Sequence, residues 1–239
     1  MAATQKLDTV LERAKTVMQT EGWIALFRRG WVFLLGQLLH YEIYYLYELK
    51  VEGRRQAELR PKIQNFTFEI ISTTQRADEL LARGFRFRSP KGIERERLDK
   101  GAVAFCIFIG QELAHIGWVA MNEEAKKSIA DLPLRVDFSG NEALIGGVWT
   151  DPKYRGMGLT SYAAQKRAQF LNEKGINTIR EAIATGNIAS EKVVAKIGFN
   201  CYARARYLRL LWLTFWKEKR LVRVNQKPWR ETSHSLKWG

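Results

Sequence analysis

The sequence is short of cysteine and of acid, and it lacks any long uninterrupted apolar run. Two cysteines in 239 residues cannot build a disulfide framework, which excludes the small stapled folds of secreted domains. Cys106 lies in an apolar, strand-like stretch and is read as core. The most apolar segment, residues 23–40, is broken by Arg28, Arg29, Gly36 and Gln37, and a membrane span needs ~20 mostly apolar residues. A buried or interfacial helix is expected there instead. The opening Met-Ala-Ala-Thr-Gln-Lys-Leu-Asp has no apolar signal core, so the cytoplasm is the expected compartment. No internal repeat or low-complexity tract is present, and no metal is expected.

The deficit of acid is large. Against 39 Lys and Arg stand 25 Asp and Glu, a net charge of +14. Residues 201–239 alone carry ten Lys/Arg and two Glu. Such a field implies acidic partners: an anionic substrate, an anionic membrane surface or, less favoured, nucleic acid. Away from the tail, the plainer reading is charge that keeps the chain soluble.

Hydrophobic periodicity supplies the elements. Residues 7–20 read as an amphipathic helix. Over 41–51 the period changes to two, with Tyr41, Ile43, Tyr45, Tyr47, Leu49 and Val51 on one face of a strand. After a polar connection at 52–64, a strand at 66–72 and a helix through 77–82 follow, then a short charged helix at 93–98. Residues 103–110 and 113–121 read as a hairpin around Gly110-Gln111. A helix is expected at 123–130 and an extended stretch or loop at 132–138.

The stretch Thr150-Asp-Pro-Lys-Tyr-Arg-Gly-Met-Gly-Leu-Thr160 joins a strand at 143–148 to a helix at 159–174. Glycines let backbone approach a phosphate, a helix N-terminus offers unpaired N–H groups, and Arg155 adds a charge-assisted donor. The spacing is neither that of the Walker loop nor that of the dinucleotide fingerprint. A second motif follows: a strand at 179–184, then Gly186-Asn187 opening a helix that closes at Lys196-Ile197-Gly198-Phe199.

Together these segments resemble the acyl-CoA site of the GNAT superfamily of N-acetyltransferases, over residues 66–206. The resemblance implies an α/β (α+β) fold, a mixed and mostly antiparallel sheet flanked by helices. Residues 1–63 would form an N-terminal helix-and-strand extension and 207–239 a basic, aromatic tail. It further implies an acetyl-CoA-dependent transfer to an amine by direct attack in a ternary complex. Arg155, Gly156, Met157, Gly158, Leu159 and Thr160 would cradle the diphosphate. Backbone amides at Val148 and Thr150 would hold the acetyl carbonyl, and Asn187 would contact the pantetheine arm.

Two positions depart from the family pattern. Thr160 stands where Gly or Ala is usual, and Val194 where many members carry a Tyr that protonates the leaving thiolate. Tyr202 is a candidate for the missing phenol, and solvent is the other.

Two further side chains are singled out. Alternation along 178–185 puts Glu181 on the inward face with Ile179 and Ile183. It is either a general base or half of a buried ion pair with an arginine. His115, mid-strand in the hairpin, is a second catalytic candidate, against the commoner role of a satisfied core histidine. The tail interleaves aromatics with cations, so 202–211 is expected to form closing strands, with 212–216 packed on the N-terminal aromatics. Peripheral contact of its basic residues with the inner membrane face is the alternative. The acceptor amine, expected to be acidic or phosphate-bearing, leaves no motif. Two other functions stay open: transfer from a different donor such as aminoacyl-tRNA, and a non-catalytic CoA-binding or interaction protein.

Overall fold

A computed structural model describes residues 39–51, 59–89 and 91–221. The expected helix at 7–20, nearly all of the apolar segment at 23–40 and the tail beyond 221 lie outside the described residues. Among the described residues eight strands form one sheet: β1 (Leu39–Lys50), β2 (Thr67–Ile71), β3 (Val103–Ile109), β4 (Glu112–Ala120), β5 (Glu142–Thr150), β6 (Thr178–Ala184), β7 (Asn200–Leu210) and β8 (Leu213–Arg220). Among the described residues the helices are α1 (Thr74–Ala82), α2 (Glu94–Asp99), α3 (Glu123–Ile129), α4 (Leu159–Glu173) and α5 (Ile188–Ile197). The sheet order is β2-β3-β4-β5-β6-β1-β7-β8. Antiparallel ladders join β2 to β3, β3 to β4, β4 to β5 and β1 to β6, while β5 and β6 run parallel. The mixed, mostly antiparallel sheet is therefore observed.

Cα proximity divides the chain into two compact units. Of the described residues, one unit includes 39–43 and 206–217, and the other includes those within 44–205 and 218–221. The larger unit holds the core. β3 is an unbroken apolar run, buried along almost its whole length, as expected of a strand covered on both faces. It turns into β4 through Gly110, whose φ of +60° suits the tight reversal. Leu159, Ala163, Ala164, Ala168 and Leu171 bury one face of α4, at helical spacing. Ala164, Ala168 and Leu171 pack with Phe105, Ile179, Ile183 and Val194, and Leu159 and Ala163 with Ile107 and Ala114. α5 ends at Gly198 in the left-handed conformation, with Phe199 N donating back to Val194 O at 2.9 Å, a Schellman closure.

Two expectations change. β1 was to show one buried face, yet Leu46 on the opposite face is also fully buried. The cause is its place in the sheet: Tyr44–Lys50 pair with β6, so this N-terminal strand is an interior member of the sheet. The tail strand continues further than expected, as the β7–β8 hairpin. Its residues Trp212, Leu213 and Phe215 are exposed, contrary to the expected packing, and Trp216 meets Tyr207 of the same hairpin at 6.3 Å.

Candidate active site

Parallel pairing between β5 and β6 covers only Glu142↔Thr178, Ala143↔Ile179 and Leu144↔Arg180. Beyond that point the two strands continue without pairing, β5 to Thr150 and β6 to Ala184. They splay apart, which leaves backbone polar groups free to meet a ligand. The joined end is clamped by Arg180, which reaches Glu48 at 2.8 Å and Glu142 at 2.5 Å. Its guanidinium also lies 4.8 Å from the Tyr202 ring centroid. Burial would raise the Glu142 pKa, but the hydrogen bond from Arg180 outweighs it and holds the carboxyl below its usual range.

At the open end lies a cavity of about 580 Å³. Val148 and Thr150 line it from β5, and Arg155, Gly156 and Gly158 from the glycine turn. Leu159 and Thr160 line it from the start of α4, and Asn187 from the start of α5. Gly158 caps α4 with φ +82° and no side-chain hydrogen bond, so the first-turn N–H groups of that helix keep no side-chain cap. This is a ready anion site. Arg155 leans on the turn through Nε to Thr150 O, 3.3 Å. Thr160, the departure from the family pattern, shares a 3.2 Å hydrogen bond with the Thr150 hydroxyl. Asn187 caps α5 by accepting from Ser190 N at 3.2 Å. These residues fit a diphosphate carried on an extended arm.

Met157 is the exception among the cradle residues. Its side chain packs with Ile107, Ala114 and Leu159 instead of lining the cavity, because the turn must also anchor the first turn of α4 to the sheet. Its carbonyl accepts from Lys62 N at 2.9 Å, so the connection before β2 braces the turn from below.

β4 and β5 lose register between Ile116 and Trp118, opposite Gly147, which takes φ +58°. This bulge re-aims Val148 toward the cavity. His115 is fully buried, and its Nδ1 shares a 2.8 Å hydrogen bond with the Thr150 hydroxyl. Burial, with Arg167 nearby, lowers its pKa to about 3, so the ring is neutral at physiological pH. Its Nε2 finds no hydrogen-bond partner among the described residues.

Glu181 faces inward as expected. Desolvation raises its pKa to about 7, against the opposing pull of Arg167. Arg167 is a residue that sequence reasoning missed. It sits on the buried face of α4, 2% exposed, with Nε and Nη1 unpartnered among the described residues. A Cβ on Gly117 would lie 2.3 Å from Nη1, so the glycine in β4 is what admits the guanidinium. Glu181 and Arg167 both line a hollow of about 10 Å³ with Val148 and Thr160, room for no more than a water. The alternative of a buried arginine partner is thus met electrostatically, without a direct hydrogen bond among the described residues.

Tyr202 does not line the cofactor cavity; it is turned to Arg180, so it cannot serve as the missing phenol there. Val194 is core, 2% exposed. A second cavity, about 850 Å³, shares Trp149 with the first as a lining residue. Arg86, Arg88 and Arg95 border it, together with Asp151 and the buried Glu94. Glu94 accepts from Ser89 N at 3.1 Å and also from the Ser89 hydroxyl. None of these formed a motif, since the pocket is assembled from α1, α2, the intervening loop and β5.

A sequence profile of the Acetyltransferase (GNAT) family matches residues 72–199, more than half of the chain. The chain belongs to the GNAT family. The match spans the splayed strands, the glycine turn and the Asn187 helix start. No curated protein matches. Solved structures that resemble this GNAT chain include a Drosophila protein, 17% identical over 77% of this chain and 56% of its own, TM-score 0.46. A GCN5-related N-acetyltransferase from Kribbella flavida is 14% identical over 74% of this chain and 62% of its own, TM-score 0.43. A GNAT-family acetyltransferase from Colwellia psychrerythraea is 14% identical over 72% and 57%, TM-score 0.45. The chain thus spans little more than half the length of several structures it matches. Among the described residues no helix is long and apolar enough to cross a membrane, and no cluster of His, Cys, Asp or Glu could hold a metal.

Proposed function

We propose that this GNAT protein transfers an acetyl group from acetyl-CoA to an amine that carries a negative charge elsewhere in the molecule. The observation that carries the proposal is that Trp149 lines two cavities, one holding the glycine turn and the uncapped start of α4 and the other bordered by arginines. A donor and an acceptor seated in them would approach across β5, which suits direct attack without a covalent enzyme intermediate.

In this reading the amine nitrogen bonds to the thioester carbonyl carbon and the carbonyl oxygen gains negative charge. Backbone N–H groups at Val148 and Thr150 stabilise that oxygen; one such donor is typically worth ~3 kcal/mol. His115, whose pKa of about 3 makes it a weak base, holds the Thr150 hydroxyl instead of taking the proton. Glu181, or a water it orders in the adjoining hollow, takes the amine proton, because a base poised near neutral pH transfers protons efficiently. The carbon–sulfur bond then breaks and solvent protonates the thiolate, whose pKa of ~8.5 makes it a fair leaving group.

The test is release of free CoA thiol from acetyl-CoA, with a panel of amines with and without a carboxylate or phosphate. Turnover confined to, or strongly favouring, the anionic amines is expected. Absence of thiol release with every amine would favour a CoA-binding protein without turnover. Thermal protection by aminoacyl-tRNA and not by acetyl-CoA would point to the other donor class.

A further inference from the structure

The hairpin joining β7 to β8 carries a feature that acyl transfer does not use. Its two-residue turn is Leu211-Trp212. Leu211 adopts φ +54°, the left-handed region that glycine, asparagine or aspartate occupies at far lower strain. Turns of this length are dominated by those small polar residues, yet here two large apolar side chains are kept at the tip. Trp212 is 82% exposed, and Leu211 and Leu213 are each nearly half exposed. A strained, apolar and solvent-facing turn is not explained by folding.

The strands behind the tip extend the pattern. With a two-residue turn, Leu210 faces Leu213, Leu208 faces Phe215 and Arg206 faces Lys217; the Tyr207–Trp216 ring contact at 6.3 Å fits that register. Alternation puts Arg206, Leu208 and Leu210 on one face with Leu213, Phe215 and Lys217. Tyr207, on the other face, is buried, so the first face looks outward. Moving away from the tip, that face is apolar for two pairs and then cationic, with no carboxylate among these positions.

We propose that this hairpin is a membrane-docking element, inserting its Leu211-Trp212 tip into the interface of an anionic bilayer. Apolar side chains at the tip enter the acyl boundary, and Arg206 and Lys217 sit one strand-length higher, at the level of lipid phosphates. The layering of an apolar tip below a cationic band is what an interfacial anchor needs. Four leucines argue against nucleic acid, because aliphatic side chains offer no face for a base to stack on. The convex shape of a turn argues against a pocketed protein partner and suits a deformable surface.

The test uses the full chain and sedimentation with vesicles of phosphatidylcholine, with and without phosphatidylglycerol. Binding is expected only to the anionic vesicles and should weaken as salt rises. Trp212→Ser should weaken it by about tenfold, and Lys217→Glu by about fivefold or more. Leu211→Gly is the sharpest variant. It relieves the positive φ, so thermal unfolding should hold or rise, while vesicle binding falls by about tenfold. In vesicles with brominated acyl chains, quenching of tryptophan emission should drop in Trp212→Leu. Equal binding to neutral vesicles, or Leu211→Gly binding like the unaltered chain, would overturn the proposal. So would tip variants that leave vesicle binding intact but abolish self-association or a shift of single-stranded oligonucleotide.

Discussion

Glu181 and Arg167 show how much one pair of residues can decide. A carboxyl with a pKa of about 7 is held up by burial and held down by the guanidinium on the facing helix. As a base it must be deprotonated, so kcat/KM should rise with pH through about 7. Glu181→Gln should abolish that limb and lower the plateau by about 100-fold or more. Arg167→Met should move the limb to higher pH, since it removes the only opposing charge the carboxyl has among the described residues. A limb that stays in place in both variants would transfer the role elsewhere, with Glu94 in the acceptor cavity next in line. The same raised pKa has a stability consequence. The folded state holds this proton more tightly than the unfolded chain, so its contribution is complete below the ordinary carboxylate range and is lost as pH rises through about 7.

Gly117 belongs to the same scale. It has an ordinary backbone conformation, so its requirement is space alone. Gly117→Ala should cost about 1–3 kcal/mol in chemical denaturation, as overpacking does. In the Arg167→Met background, where the nearest atoms are gone, the cost should largely vanish. An equal cost in both backgrounds would mean that Gly117 serves some other purpose.

Among the elements, the starts of α4 and α5 were legible in the sequence, because glycine and asparagine at helix entrances have local causes. The hairpin of β3 and β4 was legible for the same reason. What escaped was non-local or lacked a turn signal. β1 pairs with β6 across more than 120 residues, and nothing in either strand names its neighbour. The β7–β8 reversal carries leucine and tryptophan where turn chemistry calls for glycine or asparagine. Arg167 sits on a helix face otherwise read from its alanines and leucines, and a lone cation there looks like surface. Asn187 is an observed cap and a proposed cofactor contact, and a pair of variants can separate the two. Asn187→Ala should cost about 1 kcal/mol of stability by loss of the cap, along with cofactor affinity. Asn187→Ser should restore the cap, since serine caps well, while acetyl-CoA affinity stays weakened. Full recovery of affinity with serine would leave Asn187 a cap and nothing more.

At the scale of the whole molecule, two fields act in the same direction. The net charge of +14 would attract both the proposed polyanionic cofactor and the proposed anionic surface, and the arginines at the second cavity would extend the preference to the proposed acceptor. The family and the glycine turn with its two helix starts were readable because they rest on a contiguous segment, residues 150–199. The second cavity was not, because it forms only when α1, α2 and β5 come together. The opening between β5 and β6 is the proposed seat of a thioester cofactor. Titration calorimetry of the full chain with acetyl-CoA tests this most directly. One saturable site is predicted, weakened about tenfold or more in Arg155→Gln through loss of a charge-assisted contact. No uptake of acetyl-CoA or free CoA, or an affinity indifferent to Arg155, would contradict it.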